Sequence, residues 1–243
     1  MSANLTKLER PFDIEQFEDG GAYALPKLDF FRTHLFAEIA AIDAVVIKTP
    51  SERGSHDFDK YVKGEQGDSD DIRPIEEDEK WTSLMDMCQS FPAIGRLVRA
   101  FKPDYVYYLF VHKLQQERLR KRKLLALPET RFVIIQQPAL RFFSSTSPAI
   151  VQQRISGTRL WDMYDHDNDC LDSAYGHLIP VLDAQLRPLL DSELRDHIDW
   201  NIQNFVFNEA EQRLYYVDTK PSLLFAKSHN EHNITGIRNK FLK

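Results

Sequence analysis

Apolar residues recur along this chain with two different periods, and the changes of period divide it into elements. The first 36 residues are mixed, with a turn signal, DGGAY, around Gly20–Gly21. IDAVVIKTP follows, a short β-branched run that reads as a strand ending in Lys48 and closed by Pro50. Residues 51–80 are polar and acidic and can bury little surface, which predicts a long mobile loop. Two helices are expected next. The first covers about 80–101, with Pro92 and Gly95 marking a break; the second runs from Pro103 to Leu127, where Pro128 stops it. RFVIIQQPALRFF and PAIVQQRIS read as two strands joined by an SSTS turn, and SGTRLWDMYD as a linker entering a short helix. Leu171, Tyr175, Leu178, Ile179, Leu182, Leu186 and Leu189 recur at spacings of three and four, the stripe of an amphipathic helix of about five turns. Strands at 204–208 and 214–218 flank the turn NEAEQ, and the remaining polar tail predicts irregular or briefly helical structure.

Strands, helices, two strands, a linker, a helix and a hairpin, in that order, predict an α+β fold in two unequal lobes. The β-rich N-terminal lobe would span 1–152, and a hinge with a short α-rich lobe 153–243. No repeat at solenoid periods interrupts this order.

Charge changes the picture in two places. The net charge of −6 argues against a molecule built as a whole to bind nucleic acid or anionic membranes. KLQQERLRKRK (113–123) is nevertheless strongly basic. It is either a solvated helix end helped by the helix dipole, or a contact for nucleic acid or a phosphoprotein. The two cysteines, Cys88 and Cys170, form no C-x-x-C, so neither a zinc ribbon nor a disulfide framework is expected, and a reducing compartment is the default. With no Sec-type signal and no run of eighteen apolar residues, the chain is expected in the cytoplasm without a membrane span; non-classical export stays open. His229 and His232 make an H-x-x-H that lacks a third strong ligand.

The candidate chemistry lies in DHIDWNIQNFVF and the later YYVDTKP. Asn204 opens one hairpin strand and Asp218 closes its partner, so both side chains can lie at the same end. An amide oxygen and a carboxylate together suit magnesium, which takes few protein oxygens and completes its shell with water and phosphate. Asp199, five residues upstream of Asn204, can orient a hydroxyl or take its proton during attack on phosphorus.

HIDWNIQN resembles the H-x-D-x-x-x-x-N catalytic loop of protein kinases and of related small-molecule kinases such as aminoglycoside phosphotransferases. The interval from Asn204 to Asp218 is similar to that between this loop and the metal-binding aspartate of D-F-G. PAIVQQRISGTRLWDMYD resembles the fifth strand, hinge and following helix of that fold, and AVVIK the strand bearing the ATP-contacting lysine. The resemblance implies that Asp199 is the catalytic aspartate and that Asn204 and Asp218 hold magnesium. It implies that Lys48 contacts the α- and β-phosphates, that the backbone around Gln153 and Ile155 receives adenine, and that His197 braces the loop. It further implies a glutamate paired with the lysine, for which Glu117 is the candidate, and Lys220 reads as an added positive charge near the phosphates. The chain departs from the pattern in three places: no G-x-G-x-x-G, Asn201 where protein kinases have lysine, and DTK in place of D-F-G.

The resulting expectation is ATP- and magnesium-dependent phosphoryl transfer to an unidentified hydroxyl on a small molecule or a protein. The departures keep a second expectation alive, a pseudokinase that binds or scaffolds with little turnover. The third is a nucleic-acid or phosphoprotein binder acting through 113–123.

Overall fold

The computed structural model describes residues 5–34, 37–50, 116, 119–121, 123, 125–138, 144–165, 170–192, 195, 198–218 and 227–242. The acidic stretch 51–80, the helix expected at 80–101, most of the following helix, Glu117, His197 and Lys220 lie outside the described residues. The fold is α+β, and the described residues divide into two units. One holds those up to Pro50 and from Glu129 to Arg154. The other holds those from Gln116 to Pro128 and from Ile155 onward.

Among the described residues, the first unit is a seven-stranded sheet. Its strands are β1 (Thr6–Lys7), β2 (Ala22–Ala24), β3 (Phe31–His34), β4 (Ala37–Ile42), β5 (Val45–Pro50), β6 (Thr130–Pro138) and β7 (Ser144–Gln153). The order across the sheet is β1-β2-β6-β7-β5-β4-β3. The pairs β1–β2 and β2–β6 are parallel and the others antiparallel. Side-chain alternation along β5 sorts its residues between two faces. Val45 and Ile47 enter a core with Ala149, Val151, Val133 and Ile135, covered by Phe12, Phe17, Tyr23 and Leu25. Phe17 meets Tyr23 edge to face, with ring centroids 5.0 Å apart. Lys48 points to the opposite face, in register with Ile150, and Ile150 is in register with Phe132.

A two-residue turn makes the β4–β5 hairpin. Asp43 takes φ 51 there, a left-handed conformation that Asp tolerates better than most residues. Its carboxylate accepts the Phe12 N–H at 3.0 Å and a two-pronged contact from Arg10 at 2.7 and 3.0 Å. These bonds tie the N-terminal segment to the sheet it covers.

Several elements differ from expectation. SSTS is not a turn: Ser144 to Ser147 pair along β6 from Pro138 to Ile135, polar side chains continuing the ladder beyond the apolar core. SGTRLWDMYD contains no helix. Gly157 adopts φ +151, and a Cβ there would run into the Phe207 carbonyl. That close approach lets β8 (Thr158–Arg159) pair with β11 (Phe205–Asn208), and a turn then leads to β9 (Tyr164–Asp165). The leucine stripe is not one helix: Leu171 lies in a short strand, Cys170–Leu171, Tyr175 and Leu178 in a 3-10 helix, Ser173–Leu178, and the rest in α1, Ile179–Leu190. Pro180 lies in the first turn of α1, where its missing N–H costs no intrahelical bond. The tail forms α2, Lys227–Phe241, because Ile234, Ile237 and Phe241 share one buried face.

In the second unit, β12 (Arg213–Tyr216), β11 and β8 form a three-stranded sheet, and β9 pairs with β10 (Cys170–Leu171). Leu182, Leu186 and Leu189 of α1, Ile234 and Ile237 of α2, and Phe205, Phe207, Leu214 and Tyr216 share its core. Leu119 and Leu125 belong to the same core. The end of the second predicted helix thus sits with the C-terminal unit, whereas its place in the sequence put it in the N-terminal lobe. Among the described residues, no helix is long and apolar enough to cross a membrane.

Candidate functional site

The segment Ile198–Trp200 is buried but belongs to no strand or helix, so its backbone groups must find partners elsewhere. Asp199, 4 % exposed, donates its N–H to the Tyr216 hydroxyl at 3.0 Å. Trp200 donates its N–H to Asn230 Oδ1 at 3.0 Å and its indole Nε1–H to the Arg195 carbonyl at 2.7 Å. Trp200 stacks on Phe205, centroids 5.7 Å apart, and Phe205 lies 5.2 Å from the Tyr216 ring. An aromatic layer therefore underlies the Asp199 loop.

Asn201 caps the next turn. Its Oδ1 accepts the Gln203 N–H at 3.0 Å, and its carbonyl accepts the Asn204 N–H at 2.9 Å, closing the 3-10 turn Ile202–Asn204. Its own N–H donates to Asp199 Oδ1 at 3.2 Å. This local role explains why a short amide fits at that position: a lysine there would lack the capping oxygen.

Asn204 is buried at the end of this turn, so β11 begins one residue later than the pattern predicts. Its Nδ2 donates to the Asp199 carbonyl at 3.4 Å, and its own carbonyl accepts the Val217 N–H at 2.8 Å. β12 ends at Tyr216, so Asp218 stands two residues beyond the strand rather than on it, half-buried. These bonds bring Asp199, Asn204 and the Val217–Asp218 backbone to one end of the β11–β12 hairpin. A carbonyl can only accept, so the amide nitrogen of Asn204 must face Asp199. That leaves its oxygen turned away from the Asp199 carbonyl. An amide oxygen and a carboxylate are donors of the type a hard divalent ion takes, but among the described residues no group of three or more His, Cys, Asp or Glu gathers as a metal site.

Lys48 does not end its strand. It lies inside β5, paired with Ile39 on one side and Ile150 on the other, and is 6 % exposed. It is therefore not a solvated lysine at a strand end. At the end of β7, Gln153 is committed to Glu129: its N–H donates to the Glu129 carbonyl at 2.8 Å, and its side chain accepts the Glu129 N–H at 3.3 Å. The Arg154 N–H goes to the Ala44 carbonyl at 2.8 Å. Of the N–H donors considered for adenine, Gln153 is therefore taken by the fold, and Ile155 is the one that no bond of the described structure uses.

In the basic stretch, Arg120 donates to the Pro128 carbonyl at 3.2 Å, a structural use of one of its cations. A cleft of about 680 Å³ in the first unit, with Leu8, Leu25 and Pro138 in its lining, contains none of the candidate residues. Tyr216 and Asn230 were not singled out by the sequence. Tyr216 had a signal, since it alternates inward with Leu214 along β12. Asn230 had none, as one of several polar residues in the tail. Compared with known protein families and with curated proteins, the sequence finds no match in either.

Proposed function

We propose that the chain is a divergent kinase-like phosphotransferase using ATP and magnesium. The observation that carries this reading is the bonded cluster of Asp199, Asn204 and the Val217–Asp218 backbone at one end of a hairpin. Asn204 Oδ1 and the Asp218 carboxylate would hold the metal, and the Ile155 N–H would meet an adenine acceptor. Magnesium, when bound, supplies positive charge against the phosphate oxygens. Asp199 would accept a hydrogen bond from the acceptor hydroxyl and align its oxygen with the γ-phosphorus. The new oxygen–phosphorus bond forms as the bond to the β–γ bridging oxygen breaks. The electron pair leaves on ADP, and the hydroxyl proton passes to the Asp199 carboxylate.

A second reading, a nucleotide-binding module with little or no turnover, is favoured by the hairpin preceding β5. The two residues between β3 and β4 are Leu35 and Phe36, so no glycine is available there for close backbone cover of phosphates.

A thermal-shift series with ATP, with and without magnesium, tests the nucleotide reading. ATP should raise Tm, magnesium should add to the rise, and Asp218→Ala should fold normally while losing the magnesium increment. An Asp218→Ala protein with unchanged magnesium dependence removes the metal site, and a parent unmoved by ATP removes nucleotide binding altogether. ATP consumption by the parent then separates the enzyme from the binding module.

A further inference from the structure

We infer that Asn230 on α2 is a positioning residue for Asp199, acting through the Trp200 backbone; the inference rests on the phosphotransferase reading above. The Asp199 side chain projects from a stretch without ladder bonds, so its direction depends on what fixes the peptide groups on either side. One of these, the Asp199 N–H, is held by Tyr216 at 3.0 Å, and the other, the Trp200 N–H, by Asn230 at 3.0 Å. Asn230 and Asn204 hold the two ends of the Asp199–Trp200 peptide, Asn230 at the N–H and Asn204 at the carbonyl, so removing Asn230 leaves that peptide held at its carbonyl alone. Asn230 is 5 % exposed, and no water can readily replace its oxygen. One turn of chain supplies a second tie: Glu231, the next residue on α2, forms an ion pair with Arg195, whose carbonyl receives the Trp200 indole N–H. The C-terminal helix thus holds the loop at its backbone and at the residue leading into it.

Oriented groups lose activity steeply with small displacements, whereas substrate affinity set elsewhere does not. Asn230→Ala should therefore lower turnover at saturating ATP by about tenfold to a hundredfold, with the KM for ATP within about threefold of the parent. Asn230→Asp keeps an oxygen of the same reach and should retain most of the turnover. Amide hydrogen exchange supplies a readout that needs no activity: exchange at Asp199 and Trp200 should accelerate in Asn230→Ala and stay near the parent rate in Asn230→Asp. Equal turnover in the alanine variant and the parent would overturn the assignment, as would equal impairment of both variants or unchanged exchange at Trp200. If Asn230→Ala fails to fold, the aspartate variant decides: a folded Asn230→Asp with parent-like exchange but turnover reduced as severely as in Asp199→Ala overturns the positioning role. A parent that consumes no ATP overturns the phosphotransferase reading and this inference's claim on turnover, while the exchange comparison still reports whether Asn230 holds the loop.

Discussion

Lys48 and Asp199 are both buried polar residues, 6 % and 4 % exposed, but the chain holds them by opposite means. Lys48 lies within a strand paired on both sides, so its backbone position is set by a ladder that almost any β-compatible sequence could form. Asp199 lies in a loop whose N–H groups are answered by individual side chains, Tyr216, Asn230 and its own carboxylate through Asn201. Leaving a buried N–H unanswered costs about 1–3 kcal/mol, so each of these acceptors is a specific requirement. Substitutions around Lys48 should therefore be tolerated better than substitutions of the side chains that hold the Asp199 loop.

The strongest way to break this comparison is at Asp199 itself. If its loop is built to aim a carboxylate, Asp199→Ala should lower phosphoryl transfer by about a hundredfold or more, the range for a positioned base. ATP affinity should remain within a few-fold, because the proposed metal ligands are Asn204 and Asp218. ATP consumption against a broad panel of hydroxyl acceptors, beside a binding titration, measures both quantities. Slow, equal turnover by parent and variant removes the catalytic assignment and leaves the binding module.

The same contrast explains what was legible beforehand. Strand-borne features could be read: the β-branched run of β5, the long β6–β7 pair and the apolar FVF of β11 each follow from period and propensity. Asp199, Asn204 and Asp218 could be picked out because their spacing is a short-range pattern. Their supports could not, since Tyr216 and Asn230 contact the loop over 17 and 30 residues of sequence and no local period records such contacts. SSTS has the composition of a turn because serine and threonine favour turns in isolation, whereas here they extend an existing ladder. Gly157 had no period to betray it; the close approach of its Cα to the Phe207 carbonyl explains it.

Gly157 sharpens the comparison within the second unit, where a short strand depends on one residue as strongly as a loop does. Gly157→Ala combines a φ that L-residues avoid with a collision against backbone, which cannot swing aside as a side chain can. Strain of this kind costs about 1–3 kcal/mol. Urea unfolding followed by tryptophan fluorescence should show a lower midpoint, with Trp200 reporting from the core that β11 shares. Gly176→Ala is the matched control: an added Cβ there meets nothing within 4 Å, and the residue lies in a 3-10 helix, so stability should hold or rise slightly. Equal losses in both variants would refute the close-approach explanation.

The smallest expected effect tests whether the loop rule also holds inside the strand-rich unit. Asp43 occupies the β4–β5 turn and, like the Asp199 loop, is bound by side-chain contacts rather than by a ladder. Hydrogen bonds from the Arg10 guanidinium, and then from the Phe12 N–H, hold its carboxyl below the ordinary carboxylate range. A folded pKa below the unfolded one means that the contribution is present above the unfolded value, about 3.9 for Asp, and is lost as pH falls through the depressed folded value. Both partners reach solvent, so the effect should be modest and its ion-pair part should shrink with salt. Thermal unfolding from neutral pH down to about pH 3 should therefore show a slightly steeper decline in the parent than in Asp43→Asn, whose neutral amide cannot titrate. Added salt should narrow that difference without closing it, because the bond to the Phe12 N–H does not require the Arg10 charge. Parallel declines at low salt would mean that the turn is held by the β4–β5 ladder alone, confining the side-chain-held loop to the second unit.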